Sequence, residues 1–230
     1  MAKYFRLSNA TFADDFKKAL EAYYGDGVTV TSASNKTIIF TCLAVCDKEL
    51  KFEATNAGFN PFIGTVHFSR SNGGTADGYN LILSDSFLLL DTVSSNSAYR
   101  NSALAAKLTN GRYMVAGGQG TDEYDGYREN NKCLFTDTMV IRPIRMVAPV
   151  TSGFKSNGKL CLLPSFVADD LEMELNDDGT FASIPGLYLA ATSGAGIVGS
   201  NYYLSNAPLK GLSTEGIYCL SQKYVELEME

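Results

Sequence analysis

Asp169, Asp170, Glu172, Glu174, Asp177 and Asp178 gather six carboxylates between positions 169 and 178. Two such groups with separated pKa values can act as general acid and nucleophile in glycoside hydrolysis. A calcium loop would instead place oxygen ligands at alternate positions and close on a glutamate. After Gly179 the chain reads TFASIP, so that closing glutamate is missing. Leu171, Met173 and Leu175 alternate with Glu172 and Glu174, which fits a half-buried strand with its acids toward solvent. Asn176-Asp177-Asp178-Gly179 then fits a hairpin turn into 181–184. A hydrolase working through this acidic cluster stands as a third functional reading.

His67 is the single histidine, in the strand-like run TVHFS. Ser69 lies two positions on, on the same strand face, but no GxSxG elbow accompanies it. The histidine therefore reads as half-buried and structural. Gly194, Gly196 and Gly199 spell GxGxxG, with Glu215 at a workable distance for a dinucleotide site. That fingerprint needs a helix to follow, and SNYYLSNAP is a poor one, so a loop is expected there. Cys42 and Cys46 stand four apart in an apolar run, which would put both thiols on one face of a strand. With no second pair and no histidine at ligand spacing, zinc is not expected. Cys133, Cys161 and Cys219 bring the count to five, an odd number that reads as small buried hydrophobes. The chain also lacks a Walker A sequence. No catalytic residue, cofactor or metal is expected.

The remaining candidates are contact residues. Tyr124, Tyr127 and Arg128 lie in the polar, glycine-rich stretch 117–132 (GGQGTDEYDGYRENNK), which is expected to be a long loop. Tyr and Arg combine large area with polar ends and are enriched at binding hot spots. Tyr202 and Tyr203 are a second exposed-aromatic candidate. Composition points the same way. Charged residues make up 19%, and Tyr and Phe number 13 each. Lys plus Arg (19) against Asp plus Glu (25) leave a net charge of −6, and with no basic cluster nucleic acid is not an expected partner. MAKYFRLSNATF lacks the apolar core of a signal peptide, and no window approaches the roughly 18 apolar residues needed to span a bilayer. Synthesis in a cytosol, without membrane partners, is the expectation.

The elements that would position these residues are mostly strands. Thr11 can cap a helix whose first turn holds Asp14 and Asp15, and Phe12, Phe16, Leu20 and Tyr23 or Tyr24 form its apolar stripe. Gly25-Asp26-Gly27 ends it. Runs at 28–31, 37–45 and 50–54 read as strands, with Asp47-Lys48 as a turn. NAGFNP at 56–61 is a composition break, followed by a strand at 63–69. The central meander takes 79–83, 87–93, 103–109 and 112–116. Asn110-Gly111 between the last two predicts a two-residue type I′ turn. Further strands follow at 133–147, where Pro143 breaks the run or marks an edge, and at 159–163, 187–191, 202–204 and 216–227. Residues 223–230 alternate apolar with acidic and suit an edge strand or an exchangeable tail. The expected fold is α+β, mainly β. A helix plus small sheet would occupy 1–56, and an antiparallel sandwich or barrel-like domain 57–230, unless the two are one continuous domain.

The segments SNATFADDFKKALEAYYGDGVTVT, ILSDSFLLLDTV, ALAAKLTNGRYMVAGG and SIPGLYLA together resemble small virion structural proteins of tailed bacteriophages. The resemblance spans the chain and brings over no functional residue. It implies a non-enzymatic protein of the tail, baseplate, collar or capsid surface. Such a protein is made in the host cytoplasm and built into the virion as homo-oligomers contacting other virion proteins. A carbohydrate-binding or receptor-binding β-sandwich is the alternative, although the absence of Trp removes the usual sugar-stacking platform.

Overall fold

The computed structural model describes residues 3–56, 59–67, 76–93, 99–121, 132–143, 145–147, 161–168, 175–180, 182–191, 202–205 and 217–219. In chain order the elements are β1 (Lys3–Ser8), α1 (Phe12–Tyr24), β2 (Thr29–Ser34), β3 (Thr37–Cys42), β4 (Cys46–Ala54), β5 (Phe59–Ile63) and β6 (Val66–His67). Next come β7 (Gly78–Leu83), β8 (Phe87–Val93), β9 (Tyr99–Lys107), β10 (Tyr113–Thr121), β11 (Lys132–Phe135) and β12 (Val140–Pro143). Last are β13 (Arg145–Val147), β14 (Cys161–Ala168), β15 (Ser183–Ala191), β16 (Tyr202–Ser205) and β17 (Ile217–Cys219). The fold is α+β and mainly β. A seven-stranded sheet runs β1-β7-β8-β9-β10-β11-β12, and two five-stranded sheets run β2 to β6 and β13 to β17. Every paired neighbour is antiparallel.

The helix forms where the apolar spacing places it. Phe12, Ala13, Phe16, Ala19 and Leu20 make its buried stripe, and Gly25 closes it at φ +54°, donating its N–H to the Glu21 carbonyl. Thr11 holds the cap position but does not cap through its side chain. Its hydroxyl donates to Asp15 Oδ2 (2.6 Å), which also accepts the Ser8 N–H (3.1 Å). The carboxylate thus ties β1 to the first turn of the helix, while the Ala13 N–H finds its acceptor in the Asn35 carbonyl (3.4 Å).

Five rings close a circuit through four elements, α1, β4, β5 and β7. Tyr79 meets Phe12 (4.7 Å between centroids), Phe12 meets Phe16 (5.6 Å), and Phe16 meets Phe52 (5.5 Å). Phe52 then meets Phe59 and Phe59 meets Tyr79, both at 6.1 Å. Helix, small sheet and large sheet share this one core. The boundary expected at residue 56 falls between β4 and β5, which pair from Leu50–Ile63 to Ala54–Phe59, so the small sheet continues past it. β1, ahead of the helix, pairs along its whole length with β7 of the large sheet. NAGFNP is not a break either. Phe59–Ile63 is a strand that includes Pro61, and among the described residues β6 pairs with Phe62 and Ile63. Gly64, at φ +57°, turns the chain between β5 and β6, where one strand at 63–69 was expected.

The large sheet is buried on both faces at its centre, and all six residues of β7 are buried. Leu81, Leu83, Leu88 and Leu90 face the shared core. The alternate residues Ile82, Phe87, Leu89, Leu104 and Met114 are equally buried on the opposite side. There β15 touches β8 and β9, Ser86 donates to the Pro185 carbonyl (2.7 Å), and Ala182 and Ile184 are buried.

Two turns differ from the sequence reading. Asn110-Gly111 does not make a type I′ turn, because Gly111 alone of the pair takes positive φ (+82°). Gly111 N–H donates to the Leu108 carbonyl (2.9 Å) and Leu108 N–H to the Arg112 carbonyl (2.8 Å). That is a three-residue hairpin connection, with an ordinary turn followed by a left-handed glycine. The second difference is at 43–45, where Val45 N–H bonds the Cys42 carbonyl (3.0 Å) and reverses the chain. Asp47-Lys48, expected as the turn, lies inside β4. The stretch 117–121, expected as loop, extends β10, with Gly117, Gly118 and Gly120 opposite Ala103, Ser102 and Arg100.

At the start of β7 a side chain has no room. A Cβ on Gly78 would stand 2.6 Å from the Leu7 carbonyl oxygen of the paired strand. Gly78→Ala is expected to spread β1 from β7 and lower stability by about 2 kcal/mol, as overpacking does. A urea midpoint shifted down at unchanged m-value is the expected signature.

Candidate functional site

The Thr109–Tyr113 end of the β9–β10 hairpin gathers three other turns around it. Tyr113 donates its hydroxyl to the Leu43 carbonyl in the 43–45 turn (2.8 Å). Arg112 grips Asp137 through Nε (3.0 Å) and Nη2 (2.9 Å), fixing the 136–139 turn, and lies over the Phe135 ring at 4.3 Å. Asn110 donates Nδ2 to the Leu175 carbonyl (3.1 Å), and Thr109 donates to Asn176 Oδ1 (2.8 Å). Each gathered turn presents a large apolar side chain to solvent: Leu43 is 69% exposed, Leu175 50% and Met139 40%. Met139 does so at φ +52°, a conformation that L-residues other than Asn and Asp seldom adopt. The Arg112 guanidinium holds the Asp137 carboxyl below its ordinary pKa. The pair therefore stays ionised and bidentate through the neutral range.

A second polar group lies at the outer strand of the large sheet. Asn80, nearly buried, accepts at Oδ1 from the Tyr4 hydroxyl (2.7 Å) and from Arg6 Nη1 (2.8 Å). Arg6 is opposite Asn80, Asn80 opposite Asp91, and Asp91 opposite Ser102, so one row of polar residues crosses the sheet.

Few of the residues singled out by type and spacing fall in either group. Tyr124, Tyr127 and Arg128 lie outside the described residues, as do Asp169, Asp170, Glu172, Glu174, Ser69 and the glycines 194, 196 and 199. Tyr202 and Tyr203 fall on β16, opposite Ala191 and Ala190. Asp177 and Asp178 are turn residues. Asn176 and Thr180 close a connection of the same form as the one at Asn110, with Gly179 at φ +79°. Asp178 accepts from the Thr180 N–H (2.9 Å), and the Thr180 hydroxyl together with that bond lowers its pKa. Leu175, expected to point into a core, is exposed instead.

His67 is half-buried, and its ring stacks on Phe62 (4.7 Å, 23°), with Lys51 Nζ also 4.7 Å from the Phe62 centroid. Cys42 and Cys46 do not share a strand. They face each other across the β3–β4 hairpin as register partners, both buried and both free thiols. Burial raises both thiols, Cys46 to about 12, so neither is a ready nucleophile at neutral pH. Among the described residues, no group of three or more His, Cys, Asp or Glu side chains could hold a metal ion. No described helix is long and apolar enough to cross a membrane.

Sequence reasoning missed Leu43, Met139 and Leu175 as a set, and Tyr4, Arg6 and Asn80 as another. Leu and Met are core residues by type, and only the meeting of four turns brings these three to one end of the sheet. The lone signal for the second set is KYFRLS, an alternating stretch with two cations.

No family model matches the chain, and neither the curated proteins nor the solved structures returned a match.

Proposed function

We propose that this chain is a structural component of a phage particle, in its tail, baseplate, collar or capsid surface, and works through subunit–subunit contacts. The observation supporting it best is the end of the large sheet, where Leu43, Met139 and Leu175 are exposed on turns bound to one hairpin. Exposed apolar residues on fixed backbone lose little entropy on binding, and three of them at one end of the sheet, among Arg112, Asp137 and Asn110, have the make-up of a contact surface. Its placement in a virion rests on the likeness of the four sequence segments to virion structural proteins.

Light scattering on the purified chain tests the contact reading. Oligomers are expected to grow over about a hundredfold rise in concentration, and Leu43→Ser combined with Leu175→Ser should weaken association about tenfold or more. A chain that stays monomeric throughout overturns the reading. Detection of the chain in purified particles of the phage that encodes it tests the placement, and its absence from them overturns that part.

A further inference from the structure

We infer that the open edge of β1 takes up residues 223–230 of a second copy of this chain as an added strand. The inference rests on the assembly reading above and names one of its surfaces. Among the described residues, β1 is the outermost strand of the large sheet, paired on one side only, from Lys3–Leu83 to Ser8–Gly78. An unpaired strand edge offers backbone donors and acceptors to another chain.

The two faces of β1 differ in character. Phe5 and Leu7 point to the shared core, with Leu7 buried and Phe5 half-covered. Tyr4, Arg6 and Ser8 are exposed on the other face. The strand bears two cations with no carboxylate partner among the described residues. Lys3 lies over the Phe5 ring (5.4 Å), and Arg6 is bonded to the neutral Asn80.

Residues 223–230 read KYVELEME, with Val225, Leu227 and Met229 alternating with Glu226, Glu228 and Glu230. Set beside β1 with the apolar residues continuing the Phe5 and Leu7 face, this segment brings its glutamates onto the face of Arg6. A slip of one residue would turn the glutamates onto the apolar face, so the pattern selects one orientation of faces. The far edge of the same sheet is less suited. β12 ends at Pro143, whose nitrogen cannot donate to an added strand.

A charge-swap experiment on the full chain tests this, read by the dissociation constant in sedimentation velocity. Glu226→Lys with Glu228→Lys, and separately Arg6→Glu, should each weaken association about tenfold or more. All three substitutions together should restore it to within about threefold, since the charges on that face are again opposite. Hydrogen exchange gives an independent reading: β1 amides protected in the wild-type assembly should lose protection in the Glu226→Lys, Glu228→Lys chain, which leaves β1 itself unaltered. Assembly indifferent to the tail substitutions, or an absence of rescue with β1 protection unchanged, overturns this inference and leaves the assembly reading standing. A wild-type chain that never associates overturns both.

Discussion

Phe16→Ala is expected to lower the unfolding free energy by about 3–5 kcal/mol, the range for emptying an aromatic site in a packed core. Phe16 has no accessible surface, and its ring meets Phe12, Phe40 and Phe52 at 5.5 to 5.7 Å. Its ring joins α1 to Phe40 and Phe52 of the small sheet. The same circuit reaches the large sheet through Phe12 and Tyr79. A helix of 13 residues has little stability of its own in water, so α1 depends on that contact. The surroundings are large rings already packed against one another, which limits how far the site can collapse. Urea denaturation followed by far-ultraviolet circular dichroism gives the number, and Lys18→Ala on the exposed face of the helix should change it by less than about 0.5 kcal/mol. A loss below about 1 kcal/mol at Phe16 would mean that the aromatic circuit is not the joint between helix and sheets.

The helix and the central meander were legible because their signals are local. Phe12, Phe16 and Leu20 recur at helical spacing, and the runs at 79–83 and 87–93 are bounded by the small residues Ser84-Asp85-Ser86. Strand order within the meander followed, with β7, β8, β9 and β10 adjacent in sequence and in the sheet. What could not be read was decided at long range. Nothing within KYFRLS says that its partner lies some 75 positions on, at Gly78–Leu83, and the entropic cost of closing that loop is met only by the shared core. The turns were legible as turns but not as types. Asn110-Gly111 suits a two-residue connection, yet Thr109 joins it, so that Asn110 accepts the Arg112 N–H (3.1 Å) and donates to Leu175. At 43–45 the sequence LAV contains no turn former at all, and the reversal is held by pairing of Cys42 with Cys46.

The contact surface was the least legible part for the same reason. Exposed Leu43, Met139 and Leu175 come from three turns far apart in sequence, and by type each would be placed in the core. Their common position depends on hydrogen bonds from Asn110, Arg112 and Tyr113, side chains that on their own read as ordinary turn and strand residues. Hairpin tips that bind one another in this way form a fixed platform, the kind of surface that contact with another subunit needs.

Raising the pH from 8 to 11 is expected to remove several kcal/mol of stability, beginning near pH 9, because the core holds acids that can ionise only in the unfolded chain. Burial lifts the Cys46 thiol to about 12 and raises Cys42 as well. It also raises the phenols of Tyr24, whose hydroxyl donates to the Ser84 carbonyl (2.8 Å), and of Tyr79. In the unfolded chain thiols ionise near pH 8.5 to 9 and phenols near pH 10, by ordinary values of about those sizes. Between the unfolded and folded pKa the native state keeps protons that the unfolded state has released, so the unfolding free energy falls as pH rises. Each group adds a slope approaching about 1.4 kcal/mol per pH unit above its unfolded pKa. The contribution is whole below about pH 8.5, and the share of Cys46 is spent near pH 12, with the two phenols joining above about pH 10. Increasing negative charge on an acidic chain also destabilises it at high pH, and two variants separate the effects. Cys46→Ala should flatten the decline between about pH 9 and 10, and Tyr24→Phe should flatten it above about pH 10, whereas general charge repulsion would leave both slopes as they were. Urea midpoints at half-unit steps measure the curve, and a wild-type stability that stays level to pH 11 would show that these thiols and phenols are not sealed in the core.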